Sequence, residues 1–197
     1  MAVDGGKDSL SMATMVGSET VKSPRELVIS AYAAVPDIGK TITPDIKTPG
    51  SSLLYLDLAG GQTRMGGSAL AQVMGQLGDV SPDVEDGTAL KTSFLAVQEL
   101  IAQDLISAGH DRSDGGLITT LLEMAFSGNC GLDVNLHGTS TVFETLFAEE
   151  LGLVIECSAD KKSLVETVLE RAGVPFVQLG TTTESKQIQI SYNGEKV

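Results

Sequence analysis

Hydrophobic residues along this chain change their spacing several times, and each change predicts an element. Residues 4–9 (Asp4-Gly5-Gly6-Lys7-Asp8-Ser9) are turn-rich and lead into Leu10-Ser11-Met12. After a polar stretch, the β-branched apolar run at residues 27–33 predicts a buried strand. Pro36, Pro44 and Pro49, with Gly39 and Gly50, then deny regular structure and predict an extended connector at a domain boundary. Residues 52–56 read as a strand. Gly66-Gly67-Ser68 opens a helical pattern through Leu70, Val73, Met74 and Leu77. A second helix is predicted over residues 89–108, its stripe Leu90, Phe94, Val97, Ile101 and Leu105, with Gly109 as the stop. A third follows Gly115-Gly116, with Leu117, Leu121, Leu122, Ala125 and Phe126 on one side. A strand (132–136), a short helix (143–147) and a strand (153–157) come next. Asp160 is expected to cap a helix ending at Ala172, with Gly173 stopping it. Residues 174–179 and 187–192 finish as a terminal strand pair. This mixture predicts an α+β fold, with no internal repeat.

Composition removes several functions. The chain has 26 acidic against 13 basic residues, a formal net charge of −13, which argues against nucleic-acid and anionic-membrane partners. No apolar run reaches the roughly 18 residues that span a bilayer. Cys130 and Cys157 are too few for a disulfide framework, so a reducing compartment, the cytoplasm, is expected. With only His110 and His137 beside them, no zinc-ligand spacing exists.

Two segments could carry chemistry. In Gly109-His110-Asp111-Arg112-Ser113-Asp114-Gly115-Gly116, two carboxylates flank a hydroxyl ahead of a glycine pair at a helix start. Hard Mg²⁺ takes carboxylate and phosphate oxygens, and helix-start amides face anions. The same residues also fit a plain loop in which Ser113 or Asp114 caps the next helix. The second segment, Asp4 to Ser9, can offer amides, an ammonium and a hydroxyl to one phosphate. It lacks P-loop spacing, and a solvated turn explains it too. Gly66-Gly67-Ser68 fits an anion site or a simple N-cap, and Glu149-Glu150 a ligand pair or a solvated helix end. His110 beside Asp111 fits a base but has no nucleophile with a third orienting group, His137 reads as a surface histidine, and Cys130 has no activator and reads as a buried structural thiol.

Taken in order, several stretches resemble a known family. They are Gly6-Lys7-Asp8-Ser9-Leu10-Ser11-Met12, Gly66-Gly67-Ser68-Ala69-Leu70-Ala71, His110-Asp111-Arg112-Ser113-Asp114-Gly115-Gly116-Leu117, Gly128-Asn129-Cys130-Gly131-Leu132 and Phe147-Ala148-Glu149-Glu150-Leu151-Gly152. The series is similar to the large, single-chain phosphoribosylformylglycinamidine synthases, and the resemblance runs over essentially the whole chain. It implies a piece of the second synthetase half. Residues 1–36 would be a remnant of an AIR-synthetase-like (PurM-like) N-terminal subdomain, 37–51 a Pro-rich connector, and 52–197 most of the α/β sandwich C-terminal subdomain. It also implies a parent that is an ATP- and glutamine-dependent ligase of purine biosynthesis, making formylglycinamidine ribonucleotide from formylglycinamide ribonucleotide. The alternative within the superfamily is an inert nucleotide-binding or scaffold domain.

The resemblance implies ATP or ADP and Mg²⁺ as cofactors. Asp111 would be a metal ligand and Ser113 a nucleotide contact, both in an auxiliary nucleotide site of structural rather than catalytic role. Gly6 would contact nucleotide and Ser9 substrate, with Lys7 at a phosphate. No catalytic residue is expected in the chain, and the chain alone is expected to be inactive. The implied partners are the nucleotide, the ribonucleotide substrate, and the remaining synthetase and glutaminase domains. Because one strand in residues 1–36 cannot stand alone, the segment is expected to pair with another copy of the chain, giving a homodimer, or to dock on the second subdomain.

Overall fold

The computed structural model describes residues 5–6, 11–22 and 28–197. The chain divides into two compact units, Met1–Ile38 and Gly39–Val197.

The first unit contains an antiparallel hairpin where the sequence shows only a polar stretch. It is formed by β1 (Ala13–Val16) and β2 (Glu19–Lys22). Gly17, at φ 62°, opens the Gly17-Ser18 turn, the dipeptide pattern that suits a tight two-residue hairpin. The strand expected at 27–33 is not there. Leu27 lies outside the described residues, and residues 28–35 have no strand or helix, with Val28 and Ile29 exposed. A β-branched run becomes a strand only when a neighbour takes its backbone groups, and among the described residues none pairs with 28–35.

In the second unit the described residues form one sheet of seven strands. These are β3 (Ser52–Asp57), β4 (Ala108–Asp111), β5 (Gly131–Leu136), β6 (Gly152–Cys157), β7 (Phe176–Thr183), β8 (Ile188–Tyr192) and β9 (Glu195–Lys196). Their spatial order is β4-β6-β3-β7-β5-β8-β9. Every neighbouring pair is antiparallel except β5 with β8. The expected terminal strand pair therefore does not form. β5 separates β7 from β8, and the mate of β8 at the sheet edge is the short β9.

β3 shows why its apolar run is continuous. Leu53 and Tyr55 face α3 (Gly116–Gly128) and α4 (Val142–Phe147) through Leu117, Leu121, Met124 and Leu146. Leu54 and Leu56 face α2 (Gly87–Ala102) and α5 (Lys162–Ala172) through Ala96, Leu100, Val165 and Leu169. A strand covered on both faces has no solvent side to make polar. The α+β expectation holds, in the form of a mixed sheet with helices on both faces.

Several helix limits differ from expectation. α1 (Ala69–Val73) is a single short stretch capped by Ser68, and Gly75 and Gly78, both at positive φ, keep it from continuing. Val73 and Leu77 are left exposed. α2 begins at Gly87 under an Asp86 cap and ends at Ala102, because Asp104 takes φ 54°. Gly109 is consequently a strand residue of β4 and not a helix stop. The buried stripe of α2 is Ser93, Ala96 and Leu100, one position off the expected one, and Phe94 is 61% exposed. On α5 the cap position is Lys161 and not Asp160, while Gly173 ends the helix at φ 68° as expected.

Residues 43–51 have neither helix nor strand, yet they are laid firmly on the second unit. Ile46 is buried in the core. The buried Glu156 carboxylate of β6 accepts hydrogen bonds from Lys47 N at 3.0 Å, Thr48 N at 3.1 Å and Ser107 Oγ at 2.8 Å. At the far end Ser51 N donates to Thr182 Oγ1 at 2.9 Å.

Candidate functional site

The turn from β4 into α3 carries the His110 to Gly116 segment. Gly115 and Gly116 hold φ of 84° and 74°, which L side chains rarely adopt. A Cβ on Gly116 would also come within 2.6 Å of Leu146 O. Gly116 thus lets the α3 start pass against the end of α4, while Gly115 leaves room for Thr119 of α3 itself. Gly115 itself is the N-cap, so neither Ser113 nor Asp114 caps the helix. The glycine amides are not open to an anion either: Gly116 N donates to Ser113 O, and Gly115 N donates to Glu149 Oε1 at 2.7 Å.

Glu149 organises this region. The same Oε1 accepts Ala69 N at 2.7 Å, so one carboxylate ties the start of α1 to the start of α3. It thereby brings the Gly66-Gly67-Ser68 segment beside the 109–116 segment. Gly66 N and Gly67 N are spent on Val80 O and Leu77 O, and Ser68 is a plain N-cap. Next in the chain, Glu150 is fully buried. It accepts Arg64 N at 2.8 Å, Arg64 Nε at 2.7 Å and, on its other oxygen, Arg64 Nη2 at 2.8 Å. Burial pushes its carboxyl up, but the Arg64 hydrogen bonds and charge outweigh that and hold it below the ordinary carboxylate range.

Between these segments lies a cleft of about 690 Å³. Asp111, Ser113, Asp114 and Glu149 make its polar side, and Leu90, Phe94 and Val97 of α2 its apolar side. The exposed Phe94 that the stripe prediction placed in the core thus borders the cleft. A cleft lined by a hydroxyl, carboxylates and apolar side chains can take a ligand with both a charged and an apolar part.

Asp111 and Ser113 are therefore brought together at one cleft. The Asp111 side chain is 70% exposed, and its carboxylate lies 3.3 Å from His110 Nδ1. The other His110 nitrogen meets Glu123 Oε2 at 2.9 Å, a contact across 13 residues that no local spacing signals. Asp111 and Asp114 supply the hard oxygens Mg²⁺ takes, which fits the metal implied by the resemblance. They fit it as part of a shell: among the described residues no group of three or more His, Cys, Asp or Glu could hold a metal ion. Phosphate oxygens and water commonly supply the rest. Gly6 is exposed and belongs to the first unit, while Lys7 and Ser9 lie outside the described residues.

Sequence reasoning missed the roles of Glu149, Glu150 and Arg112. One signal was available, an acidic pair just ahead of the apolar strand β6, since charges at a core strand must be paired to be tolerated. Cys157 is buried, its thiol pushed up to about 11 by desolvation, and like Cys130 it is free.

Comparison with known proteins gives this architecture its place. Residues 48–193 match the model of the AIR synthase related protein, C-terminal domain. The chain belongs to that family. It is 52% identical, over 98% of its length, to the probable phosphoribosylformylglycinamidine synthase, chloroplastic/mitochondrial, of Arabidopsis thaliana. It is 49% identical, over its full length, to the phosphoribosylformylglycinamidine synthase of Homo sapiens. The resemblance read from the motifs is thus borne out. The chain spans only 14% and 15% of those two relatives. Among solved structures, Thermotoga maritima PurL complexed with FGAR superimposes with a TM-score of 0.66 at 17% identity, over 81% of this chain and 28% of that one. The same protein complexed with ATP gives 0.63 at 16%, over 81% and 26%. At such identity the likeness establishes the fold, which is the AIR-synthetase-like one expected. Among the described residues no helix is long and apolar enough to cross a membrane.

Proposed function

We propose that the chain is the part of a phosphoribosylformylglycinamidine synthase that supplies one wall of an auxiliary nucleotide site. The observation that carries this reading is the 52% identity across 98% of the chain with a relative of that name. The parent reaction is the ATP-dependent conversion of a formylglycinamide ribonucleotide to its amidine, with ammonia drawn from glutamine, in purine biosynthesis. The Thermotoga maritima complexes with ATP and with FGAR come from a protein of this fold, which supports nucleotide and ribonucleotide ligands here.

Within the cleft, Asp111 and Asp114 would hold Mg²⁺, which when bound neutralises phosphate charge. The Ser113 hydroxyl donates to a phosphate oxygen, and the α2 side shields the rest of the nucleotide from water. Glu149 keeps the two segments together at the cleft. By resemblance alone, Gly6 belongs to nucleotide binding, Ser9 to substrate and Lys7 to a phosphate. The division at 1–36, 37–51 and 52–197 is proposed on the same ground. So are the remaining synthetase and glutaminase domains as partners, a homodimer of the chain by itself, and a cytoplasmic setting. The free cysteines agree with a reducing compartment.

Calorimetric titration with ADP–Mg²⁺ tests the reading. Saturable binding is expected, weakened about 10- to 100-fold by Asp111→Asn, the loss of one charge-assisted contact. No binding by the chain would leave an inert scaffold. Glutamine-dependent amidine formation by the chain alone would refute the claim that catalysis needs further domains.

A further inference from the structure

A second cavity, of about 370 Å³, lies on the α3–α4 side of the sheet, and Arg112 is the one residue it shares with the cleft. Leu117, Leu136 and Leu179 line it with apolar surface, and the exposed Gln178 borders it. Arg112 is 7% exposed. Its Nε donates to Ala148 O at 2.6 Å and its Nη1 to Tyr55 Oη at 2.9 Å, with the guanidinium carbon 5.7 Å from the Tyr55 ring centre. Tyr55 lines this cavity and not the cleft, which puts the guanidinium end of Arg112 on the cavity side while its neighbours Asp111 and Ser113 face the cleft.

Two things are missing around that guanidinium. Its Nη2 is buried without a hydrogen-bond partner. Among the described residues no carboxylate pairs with it, and Glu150, which feels its charge, has both oxygens committed to Arg64. A buried cation with an idle donor and no directly paired carboxylate is costly, and native structures rarely keep one without a reason. An Arg fork matches a carboxylate or phosphate better than any other partner.

We propose that this cavity binds a small organic oxyanion. Its carboxylate or phosphate group lies at the Arg112–Tyr55 end, where a small turn of the fork brings Nη2 onto it. Its apolar body lies against Leu117, Leu136 and Leu179. This site is separate from the nucleotide reading of the cleft and does not depend on it.

Titration of the chain with benzoate, phenyl phosphate, acetate and inorganic phosphate tests the proposal. One of the two ring compounds is expected to bind saturably, tighter than its small counterpart because the ring buries apolar surface. Whichever binds better identifies the head group as carboxylate or phosphate. Binding should also raise the melting temperature, since the ligand favours the folded state. Arg112→Gln should weaken binding about 10- to 100-fold, as for a lost charge-assisted contact. Arg112 also braces Ala148 and Tyr55, so that variant can fail to fold. Gln178→Trp at the exposed border provides the independent block, with unchanged melting and unchanged ADP–Mg²⁺ binding. Failure of all four probes to bind, or binding that persists in either folded variant, overturns the proposal.

Discussion

Removing the Glu149 carboxylate should loosen two helix starts at once. Its Oε1 takes Ala69 N and Gly115 N, each at 2.7 Å, and so joins the start of α1 to that of α3. A hydrogen bond to a charged group contributes about 1.5–3 kcal/mol and a neutral one about 0.5–1.5. Glu149→Gln keeps an acceptor and loses the charge, a cost of about 1 kcal/mol per amide and about 2 in all. Part of this is the favourable meeting of a carboxylate with the α3 N-terminus. Glu149→Ala leaves both amides to water, and for a half-buried site the cost is about 2–4 kcal/mol. For a unit of this size, about 2–4 °C of melting temperature corresponds to each kcal/mol. The Gln variant should therefore melt about 4–8 °C lower and the Ala variant about 4–16 °C lower. Calorimetry gives the melting shift, and hydrogen exchange at the Ala69 and Gly115 amides shows whether the loss is local. An Ala variant that melts within about 1 °C of the parent, with both amides still protected, would refute the clamp.

Three further outcomes follow from other contacts. Glu156→Gln replaces one acceptor oxygen by a donor facing Lys47 N, Thr48 N or Ser107 Oγ, and should cost about 2–3 kcal/mol in urea unfolding, with faster exchange at Lys47 and Thr48; an unchanged midpoint contradicts it. Because the Glu150 carboxyl is held below its ordinary 4.5 in the folded state, its stabilising contribution is complete above that value and is lost as pH falls through the lower folded value, so Glu150→Gln should flatten the acid limb of a stability–pH curve; an equally steep limb in the variant would show that other carboxylates set it. Gly116→Ala forces a side chain into positive φ and against Leu146 O, and should cost about 3 kcal/mol or abolish folding, read from soluble yield and melting; a stable Ala variant would mean the α3–α4 approach can relax.

How much of this was legible in the sequence depended on what decides each element. β3, β5, β6, α3 and α4 were legible because each buries its own apolar pattern next to a glycine or capping signal. α4 even carries a capping box between Thr141 and Glu144. The α2 stripe was misread because large residues were taken as the core. The helix instead packs closely through Ser93 and Ala96 and offers Phe94 to the cleft. The strand expected at 27–33 had β propensity but no partner, and propensity alone cannot hold an edge. At the site, Asp111 and Ser113 could be named from their loop. Glu149 acts through the backbone amides of residues 80 and 34 positions away, and Arg112 through a cavity. Neither leaves a local spacing to read.

The position of β3 inside the sheet, between two strands that follow it late in the chain, has a consequence for synthesis. Its pairing partners are β6 and β7, and Leu56 finds Phe176 about 120 residues later. At ribosomal rates of roughly 5–20 residues per second, the run Leu53-Leu54-Tyr55-Leu56 leaves the tunnel about 6–24 s before its second neighbour does. During that interval four consecutive apolar residues have no sheet to enter. Ribosome profiling with chaperone capture should find this nascent chain held from the emergence of β3 until β7 clears the exit, and released soon afterwards.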